Sequence, residues 1–257
     1  MRSSQLRYLL EIFLSATSVA LDLRSAAPVP TADARSQLRR RIARFNKPLF
    51  WIAIVLLVTF SFVVDLGMVP TASMEGTVLV GDHLLMLKLP YGPHVPFTEL
   101  RLPQLRTPQA GEIVAYRSPV EPDEIYLKRV IAGAGDVVAL HGGVLYVNGI
   151  RWRESYARVR PNRRWTWQEN IGPYRVPAGS LFVLGDNRDN SEDSRYWGPI
   201  PVASVLGEPL VVFWSYDAPS SAWLDPNWLH QVRLYASALS HITQIRWRRT
   251  GMLLCLK

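Results

Sequence analysis

The sequence predicts a mainly β domain, entered through one apolar helix and left through an amphipathic one. Three observations carry this reading. Residues 49–64 contain no charged side chain. Seven short runs rich in Val, Ile, Leu and Tyr follow, at 77–89, 113–117, 125–132, 137–140, 144–147, 181–184 and 205–214, each bounded by Gly, Pro, Asp or Asn. Near the end, Trp228, Leu229, Val232, Tyr235, Leu239, Ile242 and Ile245 recur at helical spacing, with Gln231, Arg233, Ser237, His241 and Gln244 on the other side.

The apolar run from Leu49 extends to Val69 with Asp65 as its one charged exception. At roughly 1.5 Å per residue, 49–69 is long enough for a helix that crosses hydrocarbon, and no polar face breaks it at period 3.6. It reads as a transmembrane helix that Pro70 stops at the far interface, leaving Thr71, Ala72, Ser73 and Met74 as a small polar segment tethered at the membrane surface. Upstream, 1–48 carries nine Lys/Arg against three Asp/Glu, with Arg35, Arg39, Arg40, Arg41, Arg44 and Lys47 directly before the apolar run. Such a cluster marks the cytoplasmic side, which puts the domain at 70–225 across the membrane. An earlier apolar stretch, 6–23, is interrupted by Arg7, Glu11 and Asp22. It could be a signal-like segment, a first span or an interfacial helix, and Glu11 at its middle favours the interfacial helix.

Charge excludes one class of partner. The tail, 226–257, carries five Lys/Arg and no acid, whereas 49–225 is slightly acidic in net. The basic excess therefore lies at the two ends, a pattern that fits phospholipid headgroups and not a nucleic-acid-binding face. Cys255 is the single cysteine, so there is no intrachain disulfide and no cysteine-based metal site, and the five histidines are scattered. No cofactor or metal is expected. His141-Gly142-Gly143 reads as a hairpin turn, and 151–172, with three tryptophans and six arginines, as an exposed excursion between strands. The helix at 228–245 is too short and polar to span, so it either packs on the domain or rests on lipid.

Three segments carry chemistry. Ser73, after the apolar helix, is by itself only a turn residue. In YLKRVIAGAGD, 126–136, strand alternation puts Lys128 on one face with Tyr126 and Val130, and Arg129 on the other. A lysine on an apolar face is stable only if it gives up its proton, and a neutral amine beside a serine hydroxyl can act as its base. Alone, the segment reads better as a strand-edge lysine snorkelling to water. The third segment, GDNRDNSEDSRYWG at 185–198, fails as a calcium loop because Ser194 and Ile200 stand where the required Gly and closing Glu belong.

Together these segments resemble the type I signal peptidases, membrane-anchored serine peptidases of the Ser-Lys class, over most of 49–216. PTASM is similar to the nucleophile box, YLKRVIAGAGD to the general-base box and GDNRDNSEDSRYWG to the most distinctive box. GEIVAYRSP at 111–119 is similar to a weaker structural box. The resemblance implies Ser73 as nucleophile and Lys128 as general base, with the Thr71 hydroxyl and the Ser73 backbone N–H as the oxyanion hole. It implies that Ser191 hydrogen-bonds and orients the Lys128 amine, that Asp193 and Arg195 brace that loop, and that Arg129 pairs with Asp186. It implies an antiparallel β catalytic core with a smaller β-rich insertion at 136–180. One departure is Gly76, where the family commonly has Pro before the Thr; the glycine is expected to loosen the strand that leaves the nucleophile.

The implied substrates are signal-peptide-bearing preproteins, cut after small residues at an A-x-A-like site. The implied place is the bacterial cytoplasmic membrane, single-pass, with membrane phospholipid and the secretion translocon as partners. Two alternatives remain: a self-cleaving Ser-Lys repressor-like peptidase, against which the apolar run and the acidic middle argue, and a membrane-anchored binding protein of the same fold without the chemistry.

Overall fold

In the computed structural model the described residues are 47–98, 100–159 and 170–254. The basic N-terminal segment, the helix expected at 6–23, the centre of the 151–172 excursion and Cys255 lie outside them. Residues 47–58 form a helix, α1, whose Phe50, Trp51, Ile52, Val55 and Leu56 are exposed. A single π-helical turn, Thr59–Val63, ends it.

The expected 49–69 helix therefore stops early. Val64–Met68 is a strand, β1, paired antiparallel with β2, Asp82–Leu87. The reason is local. Lys88 Nζ donates to the Phe60 carbonyl at 2.7 Å and lies 3.3 Å from Asp65, while Lys88 N donates to Val63 O. A buried lysine thus closes the helix end, and the one charged residue of the run finds its partner in the domain. Among the described residues no helix is long and apolar enough to cross a membrane.

The remaining strands are β3 (Ile113–Arg117), β4 (Ile125–Ala132), β5 (Val137–His141), β6 (Val144–Val147), β7 (Ile150–Arg151), β8 (Ile171–Arg175), β9 (Ser180–Leu184), β10 (Ile200–Pro201), β11 (Val205–Ser215) and β12 (Met252–Leu253). They build two antiparallel sheets. The larger runs β1-β2-β11-β3-β4-β9-β10, with β12 also on β11, and the smaller runs β7-β6-β5-β8. Strand β11 bends at register shifts beside Pro209 and between Val212 and Trp214, pairing with β3 near its start and with β2 and β12 further on. The smaller sheet is the inserted unit, and Gly142 and Gly143, both at positive φ, make the two-residue turn between β5 and β6. Two expectations shift here. The run at 77–89 begins as turns and becomes strand only at Asp82, and the end of the 151–172 excursion is β8, paired with β5.

Alternation along β4 places its side chains in different cores. Val130 packs with Val114, Tyr116, Leu181 and Val183, whereas Ile131 packs with Val138, Leu140, Phe182 and Leu184 between the two sheets. At the C-terminus, short helix α3 (Ser220–Leu224) precedes α4 (Trp228–Ser240), whose first turn is capped by Asn227 Oδ1 accepting from Leu229 N. Helix α4 ends at Ser240, and Ile245 belongs to the core below it. Leu234 and Ala238 face the domain, against Tyr216 and Trp223. Trp228, Val232 and Leu239, at 61%, 51% and 78% exposure, face away.

Phe182 ties the larger sheet to the smaller one. We expect Phe182→Ala to lower unfolding free energy by about 3–5 kcal/mol, measured by denaturant titration.

Candidate active site

The site forms where a turn, a strand and a polar loop meet. Ser73 is the middle residue of a 3-10 turn, Ala72–Met74. Met74 is the plug that holds this turn down: its side chain is buried with Val69, Val78, Leu84 and Ile113, and its carbonyl accepts from Thr77 N and Val78 N. From the other side Asn187 grips the backbone, its N donating to Ser73 O at 3.1 Å and its Nδ2 to Ala72 O at 3.0 Å.

Lys128 projects from β4, opposite Val114 of β3. Its Nζ lies 2.8 Å from Ser73 Oγ, its one hydrogen bond among the described residues, and the Tyr126 ring is 5.4 Å away. The residue is only 4% exposed. Burial pushes the amine from its ordinary value of 10.5 down to about 8, assisted by Arg195 and opposed by Asp193. At and above that pH the amine offers its lone pair to the serine hydroxyl, so the pair can move a proton off Ser73 Oγ.

The loop after β9 supplies the frame. Asp193 is fully buried and caps the short helix α2, Ser194–Trp197, by accepting from Arg195 N. Its carboxylate also accepts from Gly185 N at 2.9 Å, from Ser191 Oγ at 2.8 Å and from Arg195 Nε and Nη2 at 2.8 and 2.9 Å. Arg195 continues to the carbonyls of Arg188 and Ser191. Asp193 and Arg195 thus lock the loop together. Ser191 Oγ donates to Asp193, and the bond expected between Ser191 and Lys128 is not present, since the amine's hydrogen bond goes to Ser73 Oγ.

On the other face of β4, Arg129 forks onto Asp186, with Nε to Oδ1 at 2.9 Å and Nη2 to Oδ2 at 2.6 Å. Both are buried, and Thr77 Oγ1 joins them, donating to Asp186 at 2.6 Å and accepting from Arg129 at 3.2 Å. Tyr156 stacks on the Arg129 guanidinium at 4.0 Å. Thr71 is exposed and extended just before the turn, and the Ser73 N–H belongs to the first residues of that turn, where no acceptor exists within it.

Gly76 does not loosen a strand. It stands in a turn at φ +118°, beside the Arg158 side chain, a conformation closed to proline. Sequence reasoning missed Thr77, Asn187 and Gly185. A Cβ on Gly185 would lie 2.1 Å from Ser191 Oγ and 2.6 Å from Ser73 O, so only glycine lets the loop reach the turn. Nothing in the residue types announces the bonds from Thr77 to Asp186 and from Asn187 to Ala72, which join positions more than 100 residues apart.

Gly185→Ala should push loop and turn apart at a cost of about 1–3 kcal/mol. We expect labelling of Ser73 by a serine-directed acylating probe to fall about tenfold, read by mass spectrometry.

Residues 42–214 match the profile of the family described as signal peptidase, peptidase S26. The chain is 31% identical over 219 residues to a signal peptidase I of Pseudomonas fluorescens, covering 72% of this chain and 77% of that one. It is likewise 31% identical to a signal peptidase I of Pseudomonas aeruginosa over 228 residues, at the same coverage. A solved signal peptidase I from Enterococcus faecalis V583 is 36% identical, with a TM-score of 0.35, over 40% of this chain and 97% of that one. With more than half its length inside the family profile, this chain belongs to the signal peptidase, peptidase S26, family of hydrolases that process signal peptides.

Proposed function

We propose that this chain is a membrane-anchored serine endopeptidase that removes signal peptides from exported preproteins through a Ser73–Lys128 dyad. The observation that supports it most is the 2.8 Å pairing of Ser73 Oγ with a buried amine whose pKa is lowered to about 8. Ser73 Oγ attacks the scissile carbonyl carbon while its proton passes to Lys128 Nζ. The resulting ammonium returns that proton to the leaving amine nitrogen, and the acyl-enzyme is opened by a water that Lys128 deprotonates in turn. The Thr71 hydroxyl and the Ser73 N–H are the donors for the developing oxyanion, worth roughly 2.7–4 kcal/mol each. Asp193, Arg195 and Ser191 hold the loop beside the amine, and Asp186 with Arg129 holds the far side of β4.

The preprotein binds as an added β-strand, with shallow pockets for small side chains in the first and third positions before the cut. Anchoring uses the apolar residues around α1, with the basic segment before them on the cytoplasmic face of the bacterial membrane and the catalytic domain outside. The outward stripe of α4, Trp228, Val232 and Leu239, is suited to the interfacial region of the bilayer, with Arg233 and Arg248 for anionic headgroups. The secretion translocon, which delivers preproteins, is the natural neighbour.

A signal-bearing precursor incubated with the enzyme in detergent, followed by N-terminal sequencing of the product, tests this directly. We expect cleavage after an A-x-A-like site, no cleavage by Ser73→Ala or Lys128→Ala, and a small residual rate for Thr71→Val. Full activity in either alanine variant refutes the dyad. The rate should rise with pH as Lys128 loses its proton, with a midpoint near 8. A midpoint near the roughly 10.4 of a free lysine would mean a solvated amine.

A further inference from the structure

The basic tail does more than its charge suggests. Asp82, the first residue of β2, is fully buried, and two arginines of the C-terminal segment converge on it. Arg249 Nε lies 3.0 and 3.1 Å from the two carboxylate oxygens and Nη2 lies 2.5 Å from Oδ2. Arg246 Nη1 is 3.9 Å from Oδ1 and donates to Val80 O at 2.9 Å. The same carboxylate accepts from Leu79 N at 2.8 Å. Arg249 Nη2 also donates to Thr77 O at 2.9 Å.

Thr77 is the point that matters. Its N–H donates to Met74 O in the nucleophile turn, and its hydroxyl lies between Asp186 and Arg129. The loop from Met74 to Asp82 is thus fastened at Thr77, Leu79, Val80 and Asp82 by one guanidinium pair and one carboxylate. Gly81 adds a tight crossing, since a Cβ there would lie 2.0 Å from Tyr216 O.

We propose that Arg249 and Asp82 are positioning residues for Ser73, acting through the Thr77 carbonyl to fix the turn that carries the nucleophile. Neither touches Lys128 or Ser73. The proposal rests on the Ser73–Lys128 reading of catalysis, and it assigns an active-site task to side chains that headgroup binding would otherwise claim. A guanidinium is needed here because one planar fork serves both the carboxylate and the carbonyl, whereas an ammonium is a single point.

Arg249→Lys keeps the charge on Asp82 and should fold. We expect its kcat for precursor cleavage to fall at least threefold while KM stays within twofold and the pH midpoint stays near 8, because the burial of Lys128 is untouched. Arg249→Ala should lose at least tenfold, and millimolar guanidinium should restore part of that loss without accelerating wild type. Thermal unfolding of each variant separates folding from positioning. Unchanged kcat in folded Arg249→Lys, or an Arg249→Ala loss that follows only the unfolded fraction and ignores guanidinium, overturns the proposal. Ser73→Ala serves as the control: activity there would sink the dyad reading and the proposal with it, whereas the Arg249 outcomes above sink the proposal alone.

Discussion

The structure depends on keeping one amine out of water. Lys128 is dry enough that it holds its proton loosely, and its Nζ touches a hydroxyl from a different segment. Holding its affinity for protons from 10.5 down to about 8 opposes folding at neutral pH by on the order of 3 kcal/mol. The sign follows from the lowered value: the unfolded chain binds this proton more tightly, so stability rises with pH between about 8 and 10.5. Two cores on opposite faces of β4 offset that penalty by burying Val130 and Ile131 completely.

Around the amine the protein arranges buried carboxylate–guanidinium pairs. Asp193 with Arg195 shapes the loop after β9, Asp186 with Arg129 holds the reverse face of β4, and Asp82 with Arg249 closes the far end of the loop that follows Ser73. Each pair also binds backbone or hydroxyl groups, so its charges are satisfied as well as neutralised. Glu154 with Arg188 adds a strut from the inserted unit, and Arg188 N donates to Arg158 O beside it. Breaking one member of such a pair strands a charge in the interior.

Much of this was legible in the sequence, and the gaps have physical causes. The runs at 113–117 and 125–132 coincide with β3 and β4, because β-branched residues in a half-buried ladder are a strong local signal. Lys128 and Arg129 stand on opposite faces because the period of a strand is two. The end of α1 was not legible: Val64, Leu66 and Met68 continue an apolar run that has no period to tell helix from strand. The partner of Ser191 is decided by loop conformation, and the direction of α4 by the aromatic shelf of Tyr216 and Trp223. Arg246 and Arg249 looked like lipid-binding charge because their carboxylate lies more than 160 residues away.

The passage from Val63 to Ser73 leaves no slack. Five consecutive residues of β1 are rungs in a ladder with β2, and Val69 is stitched to Asp82 and Gly81 before the turn at Ser73 begins. A serine on a loose cord could sweep a volume and meet a scissile bond at many depths. Here Ser73 Oγ has a fixed address, so under the proposed function the search falls to the incoming chain, which must thread its cut point to that one place.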